Sequence, residues 1–508
     1  MTLPSEPSPA APLDLEARLE RSLKTAGLLG GPALAVIVFL WNPGSHPPEA
    51  RRLLAVLALA VAWWITEAIP LPATALVASA LAIAAGVAPA RQVLAPYADP
   101  VIFLFLGSFL LAEAVSRYGL DRRLASWLLG LRVFGPTAAG RMSAFGAASA
   151  AISTCLSNTA TAALLTPIAL GALGERGRGR PGRVESGVLL MIAYGASIGG
   201  MATLIGTPPN LLVAGFLERL AGVRVGFTAW LLFGLPIAFV LLVVSLFLTR
   251  MSLGRGLAGE PVPTIEPDPH DPARDDHASE LRAGARWTVV AFVLAFTLWL
   301  APSLAQGILG RDHPLAEGLL KHFPEAGVAL LCAALLFVAP ISWRKRRFAL
   351  TWADGHRVNW GVLMLFGGGL SLGTLGETTG IAKWAGEGVV RSGLATSPET
   401  FMLVCVCAAV TVSEFASNTA SATLLIPIVI AAAQQAGFDP VPPALAAGLA
   451  ATCGFVFPVS TPPNAIVFGT GRVPLTRMIR AGALLDVACI VVVWAGVLLL
   501  RPLLPHAG

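Results

Sequence analysis

The sequence predicts an all-α polytopic membrane protein, with about eleven transmembrane helices plus two re-entrant hairpins in an inverted repeat. Three observations predict it. Of 508 residues, 55% are hydrophobic and only 13% charged, whereas soluble domains carry roughly 25% charge. The apolar residues fall in blocks long enough for a hydrocarbon core of about 30 Å, separated by short charged or Pro/Gly-rich stretches. Two polar motifs also recur, in the same order, in the two halves of the chain. This balance excludes a soluble globular enzyme. The net charge of +6 does not point to nucleic acid either, because no basic stripe is interleaved with aromatics.

In chain order, residues 1–25 read as an uncleaved cytoplasmic tail and 26–50 as the first transmembrane helix and its loop. Full crossings are expected near 26–42, 52–69, 72–88, 101–116, 186–216, 227–249, 287–303, 326–342, 358–376, 444–469 and 481–500. The stretches 140–172 and 398–435 are too long for one helix, and each carries a central Ser-Asn-Thr that would be costly in lipid. An arm of about 15 residues rises only about 22 Å, so both are expected to be hairpins that return to the side they entered from. Residues 251–286, rich in Pro and acids, form a cytoplasmic linker between halves 51–250 and 287–503. A cytoplasmic N-terminus places the clusters Arg176, Arg178, Arg180, Arg183 and Arg344, Lys345, Arg346, Arg347 inside, as the positive-inside rule requires. The six cysteines lie in apolar segments without metal-type spacing and read as small buried hydrophobes, with no disulfide framework. All seven histidines are expected in loops or the tail, which disfavours a histidine proton relay.

The repeat is the most specific signal. Residues 153–167 (STCLSNTATAALLTP) and 413–427 (SEFASNTASATLLIP) match at nine of fifteen positions, and GTPPN at 206–210 matches STPPN at 460–464 at four of five. Five expected crossings separate the hairpins, so equivalent points face opposite sides and the repeat is inverted. That is the architecture of secondary transporters. The Pro-Pro pairs sit inside expected helices, where proline removes a donor and forces a break. Each break frees carbonyl oxygens and aims a half-helix N-terminus, with its partial positive charge, at the gap. Ser and Thr hydroxyls and Asn amides at the hairpin tips supply neutral oxygens that suit a hard monovalent cation.

Paired Ser-Asn-Thr tips with paired Thr-Pro-Pro-Asn breaks resemble the divalent anion:sodium symporter family, which carries dicarboxylates, citrate or sulfate. The likeness covers roughly 50–500. It implies a homodimer in the cell's inner (plasma) membrane, a scaffold and a moving transport domain, and elevator-type translocation. The resemblance puts a first sodium at Ser153, Ser157, Asn158 and the Gly206 carbonyl, and a second at Ser413, Ala416, Asn418 and Ser460. It implies that Asn158, Thr159, Asn418, Thr419, Thr461 and Pro462 hold the anion. No Lys or Arg occurs in 142–175, 184–218, 358–382 or 392–471, so the countercharge for a dianion has to come from bound cations and helix dipoles. The expected function is sodium-coupled symport of a divalent anion, with a C4-dicarboxylate such as succinate, malate or fumarate as the leading substrate. Sodium is the only coupling ion expected, with no organic cofactor. The alternatives are a sodium-independent dicarboxylate exchanger or proton-coupled anion antiporter on the same fold, or a sulfate:sodium symporter. Among acids in apolar blocks, Glu67, Glu113 and Asp486 read as interfacial or packing residues, while Glu414 is expected either to brace the second tip or to carry a proton.

Overall fold

Long apolar runs punctuated by Pro and Gly fold into helices throughout the computed structural model, which describes residues 12–41, 46–135, 137–173, 182–253, 278–310, 313–394 and 396–505. Helices α1 (Pro12–Trp41), α2 (Pro48–Thr66) and α3 (Leu71–Ala84) precede a short α4 (Ala90–Leu94), then α5 (Pro100–Arg117) and α6 (Leu120–Leu129). A helical hairpin follows, α7 (Ala138–Ser153) and α8 (Asn158–Leu173), and then α9 (Arg183–Met201), α10 (Pro208–Ala221) and α11 (Phe227–Leu253). The second half opens with α12 (Ala278–Leu309), α13 (Pro314–His322) and α14 (Glu325–Val338), followed by a small antiparallel pair, β1 (Pro340–Ser342) and β2 (Arg347–Phe348). Helices α15 (Trp360–Thr378) and α16 (Ile381–Arg391) lead to a second hairpin, α17 (Pro398–Phe415) and α18 (Asn418–Gln435). Then come α19 (Val441–Ala450), α20 (Pro462–Gly469) and α21 (Leu475–Leu500).

Seven of the described helices are long and apolar enough to cross a membrane, or eight if α13 and α14, bent by 62°, form one span. The remaining expected crossings fall on other kinds of helix. Helix α3 has 14 residues, about 21 Å of rise. Helix α2 carries Glu49, Arg51 and Arg52 in its first turns, α15 is glycine-rich, and the segment at 444–469 is interrupted. The seven include α9, although the segment at 186–216 is interrupted after it, and α17, an 18-residue arm of the second hairpin that is longer than the expected length of about 15. The linker core 254–277 and residues 1–11 of the expected tail lie outside the described residues.

Helix α9 is buried along its whole length, whereas the apolar windows of α11 and α21 are only about a third buried, at 33% and 28%. It is therefore the axis around which α7, α8, α11 and α20 pack. A second, smaller core joins α2 and α3 to α15 through Leu53, Trp64, Ala75, Leu365 and Leu372. The two interrupted helices exchange partners across the repeat. Helix α20 packs on α8 and α9, and α10 packs on α18 and α19.

Two expectations are corrected. Cys453 and Cys489 are joined by a disulfide, with Cα atoms 6.9 Å apart, because the segment after α19 lies against α21. His322 closes helix α13 and His356 sits in a 3-10 turn over 352–357, so the histidines are not all in loops. Glu113, read as an interfacial or packing residue, is reached by Arg357 from the other half at 3.2 Å.

Candidate functional site

The first hairpin turns sharply because α7 stops at Ser153 and α8 restarts at Asn158, where the Ser157 hydroxyl accepts the Ala160 N–H at 3.2 Å. Within this turn the buried Ser153 Oγ donates to Asn158 Oδ1 at 2.8 Å. Across from it, α9 ends at Met201 and α10 begins at Pro208 with Thr207 as its N-cap residue. Proline at the first helical position fits there, because its missing N–H has no partner in any case. Gly200 is where the two elements meet. A Cβ on Gly200 would lie 2.6 Å from Asn158 Oδ1, 3.2 Å from Thr207 Cβ and 3.3 Å from the Gly206 carbonyl oxygen. Only hydrogen fits in that space, so Asn158 and the Gly206 carbonyl approach each other around a backbone with no side chain.

The second half repeats the pattern. Buried Ser413 Oγ approaches Asn418 Oδ1 at 2.9 Å and the Ala451 carbonyl at 2.7 Å, and the Ser417 hydroxyl caps α18 through the Ala420 N–H. Asn418 Nδ2 donates to the Thr452 carbonyl at 3.3 Å, tying the tip to the interrupted helix. Around Gly454 lie the Ser413 carbonyl oxygen, Ser460 Cβ and Thr461 Cγ2, 3.1, 3.2 and 3.5 Å from where a Cβ would stand. Ala416 is buried at the end of α17. Thr461 caps α20 by accepting the Asn464 N–H at 3.4 Å.

The structure thus brings Ser153, Asn158 and Gly206 together, and Ser413, Asn418, Ser460 and Thr461 together. Ser157 and Ser417 stand at the helix starts beside them. Thr159 and Pro462 are exposed and Thr419 is half-buried.

Two residues that sequence reasoning quoted within a motif but gave no role hold the breaks open. Asn210 Nδ2 donates to the carbonyls of Gly200 at 2.8 Å and Thr203 at 2.7 Å. Asn464 Nδ2 does the same to Gly454 and Phe457, both at 3.0 Å. Each amide satisfies the Gly200 or Gly454 carbonyl that the lost helical turn leaves unpaired, and adds a second donor to the Thr203 or Phe457 carbonyl, which also accepts the Gly206 or Ser460 N–H. Their identical position after Pro-Pro was the available signal. Glu414 has a bracing role only in the second half. Its carboxylate accepts the Val456 N–H at 3.0 Å, the Phe457 N–H at 3.3 Å and the Ser460 hydroxyl at 2.7 Å.

Four helices, α8, α10, α18 and α20, therefore begin beside these clusters, and the oxygens around them are neutral hydroxyls, amides and carbonyls apart from the Glu414 carboxylate bonded to Ser460. Among the described residues no group of three or more His, Cys, Asp or Glu is arranged to hold a metal ion. The donor set fits a hard monovalent cation, and the positive ends of the helix dipoles favour an anion.

Comparison with known proteins gives the same direction. Residues 28–504 match the family described as the sodium:sulfate symporter transmembrane region. An uncharacterized transporter of Haemophilus influenzae is 35% identical over 477 residues, covering 91% of this chain and 94% of that protein. The sodium-dependent dicarboxylate transporter SdcS of Staphylococcus saprophyticus is 32% identical over 497 residues, covering 94% and 91%. The SdcS of Staphylococcus aureus strain RF122 / ET3-1 is 31% identical over 468 residues, covering 90% and 87%. In fold, the chain resembles the crystal structure of the Alcanivorax borkumensis YdaH transporter, with a TM-score of 0.52 at 17% identity over 81% of this chain and 87% of that one.

Proposed function

Because the chain belongs to the sodium:sulfate symporter transmembrane region family, we propose that it is a secondary transporter that couples Na⁺ to uptake of a divalent anion, a C4-dicarboxylate such as succinate, malate or fumarate. The observation that carries this reading is the pairing of two oxygen clusters with four helix N-termini in a region without Lys or Arg. A dianion entering there meets partial positive charge from the helix dipoles, which falls short of two full charges. Sodium supplies the rest, so anion affinity depends on it.

In this reading, the first Na⁺ is held by Ser153, Ser157, Asn158 and the Gly206 carbonyl, and the second by Ser413, Ala416, Asn418 and Ser460. The anion is held by Asn158, Thr159, Asn418, Thr419, Thr461 and Pro462. The names of the staphylococcal relatives, at 31% and 32% identity, support the dicarboxylate over sulfate. The buried block of both hairpins and both broken helices is the part that moves, against a scaffold containing the smaller core of α2, α3 and α15. Translocation is of the elevator type, in a homodimer embedded in the plasma membrane with the N-terminus in the cytoplasm.

Thermal-shift measurements with succinate, malate, citrate and sulfate, each with and without Na⁺, test the assignment. The expected result is stabilisation that needs both Na⁺ and a dicarboxylate. Stabilisation by sulfate with none by succinate would move the substrate, and stabilisation by the anion alone would remove the coupling.

A further inference from the structure

Glu414 is buried, 6% exposed, and three donors fix its carboxylate as an acceptor: two backbone N–H groups and the Ser460 hydroxyl. A second buried acid faces it. Asp486, on α21 and 7% exposed, has its carboxyl within hydrogen-bonding reach of Glu414 and of the Phe455 backbone N–H, yet its Oδ1 has no partner. The Cys453–Cys489 disulfide lies two residues before Phe455 and three residues after Asp486, and it holds α21 against the segment that carries Glu414's donors.

Helix α17 carries Glu414 and, at its opposite end, Glu399, while α18, α19 and α20 carry no ionisable residue. On α21, Asp486 is preceded by Arg477, which donates to the Gly182 carbonyl and the Ser186 hydroxyl, and by the exposed Arg480. From α9 comes Tyr194, fully buried, whose hydroxyl points to the carbonyls of Phe455 at 3.4 Å and Met478 at 3.5 Å. The only basic residue on α11, which packs on α21, is Arg250 near its far end. Two carboxyl groups facing each other in an apolar interior repel when both are ionised, and either a proton on one of them or a cation between them relieves it. The arrangement has no counterpart in the first half, where the position equivalent to Glu414 is Thr154, whose hydroxyl bonds its own helix at the Ala151 carbonyl.

We propose that Asp486 and Glu414 form a third cation position, which takes Na⁺ between the unpartnered Asp486 Oδ1 and the anchored Glu414 carboxylate, beside the second of the two repeat-related clusters. The proposal rests on the sodium-coupled reading. Oxygen ligands carrying formal charge bind Na⁺ more firmly than the neutral oxygens of the clusters. Its occupancy fixes the Ser460 hydroxyl and the Val456–Phe457 backbone through Glu414, so it preorganises the second cluster before anion enters.

Equilibrium binding of radioactive Na⁺ to the purified full-length protein without any anion tests it, with Asp486→Asn and Asp486→Glu beside the wild type. The expected result for Asp486→Asn is a lower amount of Na⁺ bound per chain and a half-saturating Na⁺ concentration raised about tenfold, while Asp486→Glu, which keeps the carboxylate, stays close to wild type. Should Asp486→Asn fail to fold, Glu414→Gln is read in the same assay with the same expectation. Unchanged Na⁺ binding in Asp486→Asn would overturn the third position and leave the sodium-coupled reading standing. Unchanged Na⁺ binding with an altered pH response of uptake would give the pair to a proton and also overturn it. Absence of Na⁺ binding in the wild type would remove the functional reading itself.

Discussion

The strongest constraints in this protein are set by single atoms at Gly200 and the two asparagines of the hairpin tips. Gly200→Ala would press a methyl against Asn158 Oδ1 at 2.6 Å, so Na⁺-dependent anion stabilisation is expected to fall at least about tenfold in apparent affinity. Gly171→Ala on α8, with nothing within 4 Å, is the matching neutral control. Asn158→Ala and Asn418→Ala are each expected to abolish the joint stabilisation by Na⁺ and anion in a thermal-shift assay. Either variant retaining it would argue against the assigned site. Asn210→Ala and Asn464→Ala act differently, because each takes the amide donor from a buried carbonyl, that of Gly200 or of Gly454. At about 1–3 kcal/mol per unsatisfied group, both are expected to lower the melting temperature even without ligand. The tip residues were legible in the sequence because Ser-Asn-Thr occurs twice in apolar surroundings. The bracing role of Asn210 and Asn464 was not, since it depends on which carbonyls the break presents, and those lie seven and ten positions back along the chain.

At the level of elements, the hairpins and the breaks were readable from length and from proline, whereas their mutual arrangement was not. Nothing local in Pro208–Ala221 shows that it packs on α18 and α19 of the other repeat, or that Pro462–Gly469 packs on α8 and α9. Helices α6 and α16 escaped notice because each is short and amphipathic, 10 and 11 residues, and follows a glycine at positive φ, Gly119 at 62° and Gly380 at 82°. Their matching position after α5 and α15 extends the repeat beyond the two polar motifs. The Cys453–Cys489 bridge was likewise hidden, because each cysteine sits singly in an apolar run and only the docking of α21 brings them together. That docking has no spare room: a Cβ on Gly482 would lie 2.1 Å from the Phe455 carbonyl oxygen. Gly482→Leu is therefore expected to displace α21 from the segment between α19 and α20 and to reduce the yield of monodisperse protein in size-exclusion chromatography, whereas a substitution at the open Gly469 leaves it unchanged.

Across the whole molecule, scarcity of charge is both the membrane signal and the basis of the proposed coupling. Of the basic clusters expected to set orientation, Arg176, Arg178 and Arg180 lie outside the described residues, and Lys345 and Arg347 are engaged by Glu280 at 2.9 Å each, far along the sequence from the hairpin tips. The interior offers an anion only hydroxyls, amides and helix starts, with a surplus of buried carboxylate at Glu414 and Asp486. Such an interior has to take up cations with its substrate. Uptake of labelled succinate into proteoliposomes, with an inward Na⁺ gradient or with choline in its place, tests this most directly. Concentrative uptake with Na⁺ and none with choline is the predicted result, and equal uptake in the two would contradict it.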